Sequence, residues 1–133
     1  MTAVFLDTVG LLALWDTSDQ WHEDAEKASS LLSGTRPRLL TTTFVLLECG
    51  NAAARRPYRA AVDRLRERME SAGVLIAPNE EDWRLGWTAY RKREIGDAGI
   101  VDHVSFVVMR RLGITRAFTN DQHFRAAGFE ILF

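Results

Sequence analysis

Four acidic residues, Asp7, Glu48, Asp102 and Asp121, stand where strand-like runs give way to helix-like ones or shortly after. Asp7 follows the apolar run Ala3-Val4-Phe5-Leu6, and Asp121 follows the apolar approach Ile114 to Phe118 and its polar step. Glu48 lies about one turn into a helical pattern that starts near Phe44, and Asp102 lies in the first turn of the most apolar helical stretch. Ionised carboxylates gathered in one cleft repel. They stay charged together only with a cation among them or with raised pKa values. An oxygen-rich site without cysteine favours Mg²⁺ or Mn²⁺. Such an ion binds a phosphodiester oxygen and acidifies a water. The chemistry these four acids imply is hydrolysis of a phosphodiester.

Whether the acids meet depends on the elements that carry them. Apolar runs predict strands over 3–6, 38–41, 74–77 and 116–119, with a fifth over 130–133. Helical spacing predicts helices over 8–15, 21–32, 44–56, 57–71, 80–94, 100–112 and 122–127. Ser18 or Asp19 is a cap for the second helix, and Thr42 or Thr43 for the third. Pro57 suits a first helical turn, and Gly113 suits a helix end. Residues 95–99 read as a flexible loop. Strands separated by helices, with no hairpin signals, imply a parallel sheet covered on both faces. Right-handed crossovers put strand ends and the helix starts that follow them on one edge. At least three of the acids meet there, and Asp102 joins them if its helix begins at that edge.

Composition narrows the classes. A chain of 133 residues, 47% hydrophobic and 26% charged, fits one soluble domain, 1–133. Cys49 is the only cysteine, so an intrachain disulfide is excluded and the residue reads as core. No apolar run approaches the roughly 18 residues of a membrane span, and no signal-type pattern opens the chain. A reducing, cytoplasmic setting is the expectation. With a net charge of −1, bulk charge does not argue for nucleic acid. Local clusters carry that reading: Arg55 and Arg56, and Arg91, Lys92 and Arg93, are candidates for contacts to an RNA backbone. The plainer alternative is a solvated face, because Asp63, Glu67 and Glu70 are interleaved with Arg64, Arg66 and Arg68.

Taken together, the Asp7-Thr8 opening, Glu48 followed by Asn51, Asp102 opening an apolar helix, and Thr119-Asn120-Asp121-Gln122-His123-Phe124 resemble the PIN domain. The chain is most similar to the toxin ribonucleases of VapBC toxin–antitoxin modules, and the resemblance covers essentially its whole length. Val101-Asp102-His103-Val104-Ser105-Phe106, followed by Gly113-Ile114-Thr115, is especially like these toxins. The resemblance implies a three-layer α/β/α fold with a short, mostly parallel sheet. It implies an endoribonuclease whose Mg²⁺ or Mn²⁺ is held by Asp7, Glu48, Asp102 and Asp121. It further implies an RNA substrate, a cognate antitoxin and a homodimer. Asp97 matches an additional acidic position, and Thr119 matches the Ser/Thr two residues before the last acid. Val101 departs from the pattern, which often has Ser or Thr before the third acid. That departure bears on rate or substrate choice rather than on metal binding.

Several residues keep two readings. Thr8 caps the first helix or orients a metal water, and Asn51 bonds Glu48 or faces solvent. His103 and His123 read as surface or structural residues. Trp15, Trp21, Trp83 and Trp87 read as core or interface, and Leu11, Leu14 and Trp15 could line a groove for an antitoxin. Two other classes remain. One is a doubly wound phosphatase or phosphotransfer domain with Asp7 as nucleophile, although Val9 stands where its second aspartate is usual. The other is a silent PIN-like binding module, which the loss of an acid would favour.

Overall fold

The short run Ala3–Leu6 is the middle strand of the molecule, β1, with Val4 and Phe5 fully buried. A computed structural model describes residues 2–133. Beside β1 lie β2 (Arg38–Thr42) and β4 (Arg116–Phe118), with β3 (Leu75–Ile76) and β5 (Glu130–Ile131) at the edges. The order is β3-β2-β1-β4-β5, and all four pairings are parallel. The chain builds outward from β1 through β2 to β3, then returns to its other side for β4. The direction of winding therefore reverses between β1 and β4, where open parallel sheets form their ligand crevice.

The connections are helical. α1 (Thr8–Trp15) and α2 (His22–Thr35) join β1 to β2, and α3 (Thr43–Ala53) and α4 (Arg59–Ala72) join β2 to β3. α5 (Glu80–Arg91) and α6 (Ile100–Leu112) lead to β4, and α7 (Gln122–Ala126) leads to β5. Right-handed crossovers on either side of a reversal put α1–α4 and α5–α7 on opposite faces. The result is the expected three-layer α/β/α arrangement, with a sheet that is parallel throughout. Phe5, Phe106, Phe118, Phe124 and Met109 fill its centre. No helix among the described residues is long and apolar enough to cross a membrane.

Local chemistry moves several element ends. α2 starts at His22, because Asp19 accepts from the Trp21 N–H at 2.8 Å and Asp16 from the Ser18 N–H at 2.9 Å. Ser18 and Asp19 thus build the preceding turn instead of capping the helix. Pro57 also lies in a turn, and α4 begins two residues later. α5 ends at Arg91. The segment expected as a flexible loop is a run of turns, with the Gly96 N–H on Arg93 O and the Ala98 N–H on Ile95 O. Thr42 caps α3 through Val45 N, and Gly113 ends α6 at φ 69°, as the sequence implies.

Two close contacts fix the helices that matter for the crevice. A Cβ on Gly10 would lie 2.0 Å from the Phe118 carbonyl oxygen, so only glycine lets α1 rest against the end of β4. A Cβ on Gly86 would lie 2.5 Å from Val104, so α5 seats closely on α6. The buried Asp82 carboxylate also takes both arms of Arg111, at 2.9 and 2.6 Å, and ties α5 to α6.

Apolar side chains also reach the surface. Phe44, Trp83, Trp87 and Tyr90 form a row of edge-to-face contacts, 6.1, 5.8 and 5.3 Å between ring centres, and the last three are exposed. Leu11, Leu14 and Trp15 line a cleft of about 300 Å³ with Leu32, Leu39 and Leu65. A larger cleft of about 850 Å³ lies between α3 and α4, lined by Leu46, Leu47, Pro57, Val62 and Leu75.

Candidate active site

The crevice between β1 and β4 is built from the two strand ends. Asp7 leaves β1, caps α1 through Val9 N, and is 1% exposed. Thr119 leaves β4 and donates its hydroxyl to Asp7 Oδ2 at 2.8 Å. The same oxygen of Thr119 accepts the N–H of Asp121 at 3.0 Å, so one buried hydroxyl locks both acids to one frame. Asp121 in turn caps α7 by accepting from His123 N at 2.9 Å. Asn120, between them, reaches across to the Phe133 carbonyl.

Asp102 comes in from the third residue of α6, and Glu48 from the middle of α3. Thr8 holds Glu48 by a 2.6 Å hydrogen bond from its hydroxyl. Asp7 therefore caps α1, and Thr8 instead positions the neighbouring acid. Asn51 lies exposed and, among the described residues, makes no hydrogen bond to Glu48. Val101 is half-buried.

The electrostatics show how tightly the acids converge. Burial, then the charges of Asp102 and Asp121, push Asp7 up to about 8, against the opposing Thr119 hydrogen bond. Burial, then Asp121 and Glu48, push Asp102 up to about 7, with His123 opposing. Asp7 and Asp102 thus feel their acidic neighbours, and each holds its proton when no cation is present. Burial also drives the Cys49 thiol up to about 12, as befits a core residue.

His123 joins this group. Its Nδ1 is 3.0 Å from Asp121 and 3.9 Å from Asp102, and its Nε2 is 2.8 Å from Asp97. Asp97 meets the cluster only through this ring, and its own side chain is exposed. The sequence reading of His123 as a surface or structural residue missed this position. The signal was present as Asp-x-His at a helix N-cap, which folds the ring back over the cap carboxylate. His103, by contrast, is buried structure, with Nδ1 on the Gly99 carbonyl and its ring between Tyr90 and Phe106.

Donor atoms of Asp102, Asp121 and His123 lie within 4.8 Å of one another. That spacing and an oxygen-dominated donor set fit a small divalent cation. Of the basic candidates, Arg91, Lys92 and Arg93 are exposed, and the charge of Arg93 falls on Asp97. Arg55 and Arg56 are exposed after α3, and the charge of Arg56 falls on Asp16.

A family model described as the PIN domain matches residues 4–130. The chain belongs to the PIN-domain family. The 23S rRNA-specific endonuclease VapC20 of Mycobacterium tuberculosis is 31% identical over 134 residues, covering 95% of either chain. The crystal structure of VapC20, described as a sarcin-ricin loop cleaving toxin, superposes with a TM-score of 0.78 at 27% identity, again over 95% of both. FitAcB from Neisseria gonorrhoeae shares the fold at 16% identity and a TM-score of 0.62, covering 98% of this chain and 96% of its own. The PIN-domain relationship and the likeness to VapC20 make this chain an endonuclease, a hydrolase of phosphodiester bonds.

Proposed function

We propose that this PIN domain is a metal-dependent endoribonuclease and the toxin of a toxin–antitoxin pair. The observation that carries the reading is the convergence of Asp7, Asp102 and Asp121 at the β1/β4 switch point, where burial and like charges raise Asp7 and Asp102. Asp102 and Asp121 hold the ion, with Asp7 and Glu48 completing the negative field around it. A bound Mg²⁺ or Mn²⁺ supplies Lewis acidity to the phosphodiester and lowers the pKa of water.

The chain's own groups do the rest. Thr119 keeps Asp7 and Asp121 in one orientation, and Thr8 keeps Glu48 turned toward the crevice. Arg93, whose charge falls on Asp97, and the exposed Arg91 and Lys92 beside it in sequence are contacts for the RNA backbone, which the acids alone would repel. Arg55 and Arg56, exposed after α3, are the second pair of basic contacts in this reading.

The likeness to VapC20 supports ribosomal RNA as the substrate class to test first. The apolar clefts beside α1 and between α3 and α4 support a partner protein, the antitoxin. An antitoxin arginine laid over the crevice would pair with the carboxylates and exclude substrate. The row Trp83, Trp87 and Tyr90 is a contiguous exposed apolar patch of the kind that marks an interface, and we assign it to a homodimer.

Purified protein with ribosomal RNA and Mn²⁺ tests the reading. Cleavage should appear at discrete sites by primer extension, stop with chelator, and fall on the order of 10²-fold in Asp121→Asn. Equal cutting by the folded variant, or cutting indifferent to chelator, overturns it. Co-expression with the protein encoded next to this one should give a complex that does not cut.

A further inference from the structure

We propose that His123 is a nitrogen ligand of the bound ion through Nδ1, with Asp97 holding Nε2 as a positioning residue. The inference rests on the metal-dependent reading above and deepens it. The ring has a donor atom within 4.8 Å of donor atoms of both Asp102 and Asp121. Its two nitrogens face different partners. Nδ1 looks into the crevice at 3.0 Å from Asp121, and Nε2 looks outward at 2.8 Å from Asp97.

That division is what a metal-bound imidazole requires. A ligating histidine gives the lone pair of one nitrogen to the metal and donates its other N–H to a carboxylate, which fixes tautomer and ring plane. Asp97 is already placed to accept that N–H. The ring is also held from below. Phe124, the next residue, is fully buried against Phe106 at 4.8 Å between ring centres, so α7 cannot rotate His123 out of place without losing core.

The consequence is a preference among metals. Imidazole suits Mn²⁺ and later transition ions better than Mg²⁺, which takes oxygen ligands and keeps its waters. His123→Gln should weaken Mn²⁺ binding by about 10-fold or more and Mg²⁺ binding much less. Asp97→Ala should weaken Mn²⁺ binding by about 10- to 100-fold, the range for loss of a carboxylate behind a ligating histidine.

The test is pulsed electron paramagnetic resonance of Mn²⁺ added to the purified full chain. The expected result is a ¹⁴N modulation of direct coordination, absent in His123→Gln. The modulation should also vanish from the unmutated chain grown on ¹⁵N-histidine, which needs no variant to fold. His22 on α2 and buried His103 do not join the cluster. Tight Mn²⁺ binding without the ¹⁴N modulation overturns His123 ligation and leaves the nuclease reading standing. No Mn²⁺ binding at all, with cleavage indifferent to chelator, overturns the metal reading itself and this inference with it.

Discussion

Asp82 and Asp7 are both 1% exposed, yet their carboxyls are pushed in opposite directions. Burial raises Asp82, but the Arg111 fork and the Asn79 N–H outweigh it, and the group titrates below its usual range. Burial raises Asp7 as well. There the nearest charges are Asp102 and Asp121, and the group rises to about 8. One acid has its charge answered inside the chain and ties α5 to α6. The other has like charges around it, which in the proposed reading a cation answers. Burial alone therefore does not separate a structural acid from a functional one, but the sign of its neighbours does.

The sharpest break of this contrast is Asp7→Asn. Cleavage should fall on the order of 10²-fold or more, while the metal-free variant melts no lower than the parent, because a neutral amide replaces a carboxyl that burial and like charges already keep protonated. An RNA cleavage assay beside a thermal melt checks both, and a lower melting point would place Asp7 with the structural acids. The mirror experiment is Arg111→Gln. It leaves Asp82 buried and unpaired, so urea unfolding at pH 7 should show a loss of about 2 kcal/mol, with cleavage of ribosomal RNA unchanged within about 3-fold. Asp82 sits low in the folded chain, so its contribution is present above about pH 4 and is lost as pH falls through its folded pKa. The variant's deficit should shrink accordingly in acid.

The crevice should respond to pH in the opposite sense. Asp7 and Asp102 are raised to about 8 and about 7, so their stabilising contribution is full below about pH 4 and is lost as pH rises through those values. Metal-free protein should lose melting temperature between about pH 5 and 8. Asp102→Asn should flatten that slope, and Mn²⁺ should restore the parent at high pH, as differential scanning fluorimetry would show. The smallest effect belongs to Thr119→Val, which removes the hydroxyl shared by Asp7 and Asp121. It should cost about 1 kcal/mol and steepen the fall with pH, because Asp7 loses the donor that opposes its rise.

Much of this frame is legible in the sequence. Short apolar runs between helical patterns announce parallel strands, and α6 is read correctly at both ends because Gly113 stops it. The three-layer class and the family follow from the order of the acids. Less legible are features that depend on partners far along the chain. Thr8 meets Glu48 across 40 positions, so its hydrogen bond cannot be told from a cap by spacing. Asn51, three residues after Glu48, looks like its partner until α3 turns it to solvent. His123 was obscured by a different cause. Its contact with Asp121 is local, but its value depends on Asp97 and Asp102, which tertiary packing brings in. Pro57 suited a first turn on propensity, and the turn leading into α4 overrode it.

The hydrogen bond between Asp7 and Thr119 spans 112 positions of the chain. During synthesis Asp7 emerges well before Thr119. β1 also waits for β4, since Leu6 pairs with Phe118. Translation therefore carries its own delay: everything from Asp7 to the end of β4 must be made before Asp7 can meet Asp121. Products that stop before β4 lack Thr119 and Asp121, half the crevice. The centre of the sheet is thus begun by β1 and closed only by β4, after β2 and β3 have been made.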